Sequence, residues 1–192
     1  MILGIIPARL KSKRLPNKPL QIIDGLPLLV HVLKRSLMSK KLDKIVVCTD
    51  SIKVVNLVRK YNQDAYLTSK NIKNGTDRIS IFLGKNKKKF KNVKLVVDIQ
   101  CDEIFLNPNY LDKAINFHLK NIKKYDVVIP HTLTNEKNNN NYVKIISNQV
   151  NDILYLTRAD APHPFRSKKK PFKRHQDFVT FRPDFIKKFK DL

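Results

Sequence analysis

Short apolar runs alternate along the chain with longer stretches in which apolar residues recur every three or four positions. Residues 1–8, MILGIIPA, form a continuous apolar run, the pattern of a strand buried on both faces. In residues 26–40, LPLLVHVLKRSLMSK, the positions Leu29, Val30, Leu33 and Leu37 follow helical spacing. KIVVCTD reads as a second strand, and SIKVVNLVRKYN as a helix with Ser51 at its N-cap. DAYLTS is a third strand, and TDRISIFLGKN a helix capped by Thr76. VKLVVDIQ is a Val-rich fourth strand buried on both faces, followed by a helix over NPNYLDKAINFHLKN. YDVVIPHTL and NYVKIISN read as later strands, separated by the solvated loop TNEKNNNN. FVTFRPDFIKKFK gives a last strand and the start of a helix.

Strands separated by helices of this length imply βαβ units, hence an α/β fold with a mainly parallel sheet and helices on both of its faces. No internal repeat or interdomain linker interrupts the pattern, so residues 1–192 are expected to form one domain. With 42% hydrophobic residues the chain can build a sizeable core. No run approaches the roughly 18 apolar residues of a membrane-spanning helix, and no stable membrane insertion is expected. The start MILGIIPAR lacks a basic leader segment, so no signal peptide is expected. Cys48 and Cys101 each sit in an apolar stretch, which implies no disulfide framework and fits a reducing, cytoplasmic compartment.

The charge is strongly unbalanced: 39 Lys and Arg stand against 16 Asp and Glu, a formal net charge of +23. Such an excess raises nucleic acid, a membrane surface or an anionic substrate as partners. It is equally what a solvated surface carries when Lys, Asn and Ile are abundant together. The lysine clusters GKNKKKFKNVK and SKKKPFKRH carry few aromatics, and no nucleic-acid-binding motif accompanies them, so no nucleic-acid partner is expected. His118, His131 and His163 show no zinc spacing, and His31 lies within an expected helix.

The cations are concentrated usefully in one place. GIIPARLKSKRLPNKPL, residues 4–20, carries Arg9, Lys11, Lys13, Arg14 and Lys18 on a segment stiffened by Pro7, Pro16 and Pro19, with no acidic residue among them. In an open α/β sheet, ligands bind beyond the carboxyl ends of the strands. This segment follows the first strand, and QCDE, residues 100–103, follows the fourth. Cations facing a carboxylate across such an edge suit a metal-bound polyphosphate, with Mg²⁺ on the hard oxygen. The Gly-rich spacings of the Walker A and dinucleotide-binding loops are absent.

IIPARLKSKRLPNKPL resembles the opening motif IPAR-x-x-S-x-R-LP-x-K-x-L of the sugar cytidylyltransferases. IDGLPLLVHVLKRS and KIVVCTDS resemble that family's first helix and second strand. NGTDRIS is similar to its G-T-[DE]-R element and VVDIQCDEIFL to its VQGDEP element. YVKIISNQVNDILYLTRADAPHPFR is similar to the stretch ending in SRA-x-IP, and FKRHQDFVTFRPDFIKKF to RH-x-GIY-x-YR. The 3-deoxy-manno-octulosonate (KDO) branch is nearest and the sialic acid branch more distant. The resemblance implies a Rossmann-like nucleotidyltransferase fold that joins CTP to an acidic sugar, giving a CMP-sugar and pyrophosphate for lipopolysaccharide or surface polysaccharide synthesis. It implies Mg²⁺ as cofactor and a homodimer. It implies CTP-binding roles for Arg9, Ser12, Arg14 and Lys18, catalytic roles for Lys18 and Asp102, and metal binding by Asp102. It places Arg78, Gln100, Arg158 and His175 at the sugar.

Departures from the motifs accompany the matches. Cys101 and Ile104 replace the Gly and Pro of QGDEP, so a side chain at 101 is expected to crowd a close backbone approach. Asn17 replaces a Gly, a milder change because Asn tolerates left-handed backbone. Asp177 and Val179 replace Gly and Tyr, which leaves the sugar open, a sialic-acid-like nonulosonate included. The resemblance also implies a further C-terminal region with a DTPED-like second metal aspartate, which FIKKFKDL does not supply. Two readings follow: an active cytidylyltransferase, or an inactive homologue that binds nucleotide or a partner subunit.

Overall fold

The computed structural model describes residues 1–10, 15–161, 171–176 and 178–188, the side chains of residues 187 and 188 excepted. The chain divides into two compact units, Met1–Val128 with Asp177–Leu192, and Ile129–Gln176. In chain order the first unit contains β1 (Ile2–Ala8), β2 (Ile22–Ile23), β3 (Leu26–Pro27), α1 (Leu28–Leu37), β4 (Lys44–Thr49), α2 (Ile52–Arg59), β5 (Asp64–Leu67), α3 (Gly75–Lys85), β6 (Leu95–Ile99), α4 (Pro108–Lys120) and β7 (Val127–Val128). The second unit contains β8 (His131–Thr134), β9 (Lys144–Ser147), β10 (Ile153–Thr157) and β11 (Phe172–His175). The chain then returns to the first unit with β12 (Phe178–Phe181) and α5 (Pro183–Lys188).

The large sheet has the order β5-β4-β1-β6-β12-β7. Its first four strands run parallel, and β12 runs antiparallel to both β6 and β7. The expected mainly parallel α/β sheet is therefore present. On one face Leu29 and Leu33 of α1, Val54 and Val58 of α2 and Leu111 and Ile115 of α4 pack against Ile6, Val47, Val97 and Ile99. On the other, Ile79 and Phe82 of α3 and Ile186 of α5 pack against Leu3, Ile5, Val46 and Val96. Each such side chain contributes about 1.5–3 kcal/mol by leaving water. Covering both faces is what makes the central strands continuous apolar runs rather than alternating ones. Among the described residues, no helix is long and apolar enough to cross a membrane.

Local details differ from the sequence reading for physical reasons. Leu37, expected on the buried stripe of α1, is 48% exposed, and Ser36 is buried instead. In a helix of 3.6 residues per turn, seven positions on from Leu29 returns to the same side, whereas eight overshoots it. Ser36 tolerates burial because its hydroxyl donates to the Val32 carbonyl at 2.8 Å. The cap of α3 is Asn74 rather than Thr76. Asn74 Oδ1 accepts from the Asp77 amide at 2.8 Å and its Nδ2 donates to Asp77 Oδ2 at 2.8 Å. Ser51 occupies the N-cap of α2 as expected, without a side-chain capping bond. Gly75 starts α3 against Pro7, where an added Cβ would lie 3.1 Å from Pro7 Cγ.

The second unit is a four-stranded antiparallel sheet in the order β10-β9-β11-β8. The strand expected over YDVVIPHTL is two pieces, broken at Ile129 and Pro130, with β7 in the large sheet and β8 in the small one. β10 and β11 carry no periodicity that separates them from loop. Lys144 is fully buried in this unit. Its Nζ lies 2.9 Å from Asp160 Oδ1 and donates to the carbonyls of Asn139 and Arg158 at 3.1 and 3.0 Å.

Candidate functional site

The carboxyl ends of β1, β4 and β6 adjoin in the sheet, because Ala8 pairs with Thr49 and Ile5 with Asp98. The residues just beyond these ends are Arg9 and Leu10, Asp50 and Ser51, and Gln100 to Glu103. Lys11, Ser12, Lys13 and Arg14 lie outside the described residues, so the expected roles of Ser12 and Arg14 have no structural description here. Both ends of the cationic segment are described. At its start, Arg9 is exposed and its Nη1 donates to the Lys73 carbonyl at 3.2 Å. The Leu10 amide donates to Asp50 Oδ1 at 2.9 Å.

At its far end, Asn17 adopts φ 54° and ψ 27°, the left-handed region, and leads into a single 3-10 turn at Lys18–Leu20. Asn at this position reproduces the backbone a glycine would give. The turn aims Lys18 across the sheet edge, where its Nζ donates to Asp102 Oδ2 in an ion pair. The two side chains are 25% and 43% exposed, so both remain open to a ligand.

Asp102 sits in a tight turn after β6. The Glu103 amide donates to the Gln100 carbonyl at 3.2 Å, and the Ile104 amide to the Asp102 carbonyl at 3.0 Å. Cys101 turns inward and packs, with Ile104, against the core under α1 and α4. Cys101 is not among the residues of positive φ, so its side chain strains no backbone there. Burial, reinforced by the neighbouring Asp102 charge, pushes the Cys101 thiol up to about 12.

Three further ionisable groups lie beneath this edge. Arg78 on α3 is 1% exposed, and its Nη1 donates to Thr68 Oγ1 and to the Ser69 carbonyl. Its Nη2 is buried without a hydrogen-bond partner, 3.9 Å from Asp50 Oδ2. Burial lowers the Arg78 pKa and the Asp50 charge opposes that shift. Asp50 itself is 8% exposed. Asp98, 2% exposed on β6, accepts a long hydrogen bond of 3.4 Å from Gln100 Nε2, and burial pushes its carboxyl up to about 7.

Arg9, Lys18, Arg78, Gln100 and Asp102 thus belong to the first unit, and Arg158 and His175 to the second. In that second unit Arg158 Nη1 donates to the carbonyls of Asn140 and Asn141 at 2.8 and 2.9 Å. His175 is in β11, its amide bonded to the Val143 carbonyl at 2.9 Å. His118 is structural: its Nε2 donates to the Tyr125 carbonyl at 3.0 Å, and its Nδ1 lies 2.6 Å from Thr180 Oγ1. Sequence reading overlooked Asp50 and Asp98. Asp50 carries the same signal as Asp102, a carboxylate just past a buried strand, whereas Asp98 is concealed inside an apolar run.

A divalent cation is compatible with this edge. Asp102 offers a hard, half-exposed carboxylate next to the cation that would meet a phosphate. Among the described residues, no three His, Cys, Asp or Glu side chains gather to hold an ion by themselves. Mg²⁺ commonly uses only one or two carboxylates, completing its shell with water and substrate phosphates. The donor set therefore fits a metal that arrives with a polyphosphate.

A cytidylyltransferase family model matches residues 3–192. The chain is 34% identical to 3-deoxy-manno-octulosonate cytidylyltransferase of Polynucleobacter necessarius, over 99% of this chain and 76% of that protein. It is 28% identical to 8-amino-3,8-dideoxy-manno-octulosonate cytidylyltransferase of Shewanella pealeana, over 98% and 77%. Its structure is similar to that of CMP:2-keto-3-deoxy-manno-octonic acid synthetase complexed with CTP. The TM-score is 0.90 at 26% identity, covering 100% of this chain and 78% of the other.

Proposed function

The chain belongs to the cytidylyltransferase family, and on that premise we propose that it transfers CMP from CTP to an acidic eight-carbon 3-deoxy sugar, KDO or its 8-amino analogue. The product is a CMP-sugar for lipopolysaccharide synthesis, released with pyrophosphate. The observation that carries this reading is the Lys18–Asp102 pair at the joined carboxyl ends of β1 and β6. There a cation for phosphate and a carboxylate for a divalent ion stand side by side.

The sugar's anomeric hydroxyl attacks the α-phosphorus in line. The bond from the α-phosphorus to the oxygen bridging to the β-phosphate breaks, pyrophosphate departs with that electron pair, and the hydroxyl proton passes to solvent. Little covalent chemistry falls to the protein, so catalysis is positioning and charge stabilisation. Arg9 and Lys18, with Ser12 and Arg14, hold the triphosphate. Lys18 turns from Asp102 to phosphate oxygen as the ligand enters, which the exposure of both side chains allows. Asp102 would hold Mg²⁺, which would supply neutralisation of phosphate charge. By the motifs they match, Gln100 of the first unit and, separately, Arg158 and His175 of the second are proposed as sugar-contacting residues, the Arg158 guanidinium being suited to a carboxylate. Arg78, almost fully buried, supports the site from beneath. A homodimer in the cytoplasm completes the proposal, and the free thiols of Cys48 and Cys101 support a reducing compartment.

A pyrophosphate-release assay tests this reading. Release should require CTP, Mg²⁺ and an acidic 3-deoxy octulosonate together, and should fail with a neutral analogue that lacks the carboxylate. Release from CTP without any sugar, or preference for another nucleoside triphosphate, would contradict it.

A further inference from the structure

Asp50 joins three parts of the first unit that are distant in sequence. One oxygen, Oδ1, accepts from the Leu10 amide at 2.9 Å, at the point where β1 gives way to the cationic segment. The other, Oδ2, lies 3.9 Å from the buried Arg78 Nη2. Arg78 is fixed in turn by Thr68 Oγ1 and the Ser69 carbonyl. Thr68 closes the chain of contacts on β4, where its amide and hydroxyl both donate to the Thr49 carbonyl, at 2.7 and 2.9 Å. Asp50 and Arg78 are 8% and 1% exposed. A buried carboxylate needs a counter-charge and hydrogen-bond donors around it, and Arg78 and the Leu10 amide lie against Asp50 in those places.

We propose that Asp50 is a positioning residue for the triphosphate-binding segment, acting through the Leu10 amide, with Arg78 as the counter-charge that keeps its carboxylate in place. The inference rests on the proposed role of that segment in holding CTP. Leu10 follows Arg9 directly and precedes Ser12 and Arg14, so fixing its amide fixes where the cationic segment leaves the sheet. At the other end the Lys18 turn is set by Asn17. Arg78 therefore works as part of the site's wall: its Nη1 is held by Thr68 and Ser69, and its Nη2 faces Asp50.

The test compares Asp50→Ala with Asp50→Asn. Asn keeps a carbonyl oxygen for the Leu10 amide but loses the charge that faces Arg78; Ala loses both. Calorimetry should show CTP binding by Asp50→Ala weakened about tenfold, roughly one hydrogen bond's worth. Asp50→Asn should bind within about twofold of wild type, although its melting temperature falls because Arg78 is left unpaired. In turnover, KM for CTP should rise in Asp50→Ala while KM for the sugar stays constant. A merely structural role would instead make affinity follow thermal stability, with Asn and Ala losing CTP alike, and that result overturns the proposal. CTP affinity unchanged in a folded Asp50→Ala also overturns it. If Asp50→Ala does not fold, amide exchange in the wild type decides: the Leu10 amide should be protected without ligand and more so with CTP, and exchange at the free rate contradicts the inference. Failure of the wild type to bind CTP would instead sink the function on which the inference rests.

Discussion

Lys18 and Asp102, 84 positions apart in the chain, form an ion pair across the edge of the large sheet. The pair is partly exposed, and such pairs contribute only about 0–1 kcal/mol. It is therefore easily exchanged: a triphosphate can take the cation and a divalent ion the carboxylate without a large cost. A deeply buried pair in the same place would resist its ligand.

Replacing Lys18 by Ala should weaken CTP binding by about 1.5–3 kcal/mol, the usual worth of a hydrogen bond to a charged group. Titration calorimetry at fixed salt measures this directly. Equal affinity in wild type and variant would show that the phosphates lie elsewhere.

Asp102→Asn keeps the side chain's shape and removes its charge. Wild-type CTP binding should tighten when Mg²⁺ is added, and the variant should lose that tightening while retaining its metal-free affinity. Tightening of equal size in both proteins would place the ion on other groups.

Asp98 makes stability depend on pH. Its folded pKa, about 7, is above the ordinary aspartate value of 3.8 because burial opposes ionisation. The unfolded chain gains by ionising first, so this contribution is intact below pH 4 and is lost as pH rises towards 7. The loss has an upper limit of roughly 4 kcal/mol, at 1.36 kcal/mol per pH unit. Asp98→Asn cannot ionise, so denaturant unfolding should show its stability relative to wild type rising between pH 4 and 7. A difference independent of pH would mean that Asp98 is already ionised in the folded protein near pH 4.

Lys144→Met should loosen the second unit locally. Lys144 ties Asn139, Arg158 and Asp160 together, and Asp160 Oδ2 in turn accepts from the Asn138 amide at 2.8 Å. Hydrogen exchange at Asn138 should accelerate markedly while the amides of β1 and β6 keep their protection. Unchanged exchange at Asn138 would show that the loop is held by other contacts, such as those of Arg158 to Asn140 and Asn141.

What could be read in advance follows from how local each signal is. β1, β4 and β6 are legible because strands covered on both faces become unbroken apolar runs. Lys18 and Asp102 are legible because each follows such a strand and matches a motif. The α3 cap is misread because Asn74 and Thr76 are both good caps two positions apart, and only the bond to Asp77 selects between them. β10 is not legible: Leu154 and Tyr155 are both 65% exposed, so its two faces show no alternation of apolar and polar positions. Asp50 is passed over because its importance comes from Leu10 and Arg78, partners that only the folded sheet brings to it.

The most direct measurement of the central claim follows the α-phosphate. CTP labelled at the α-phosphorus is incubated with KDO, Mg²⁺ and either wild type or Lys18→Ala, and the products are separated. The wild type should move the label into a CMP-sugar in one-to-one ratio with pyrophosphate, and Lys18→Ala should do so much more slowly. Label that stays in CTP, or appears only as free CMP without a sugar conjugate, while the wild type is folded and binds CTP, would contradict the assignment of this chain as a CMP-sugar-forming enzyme.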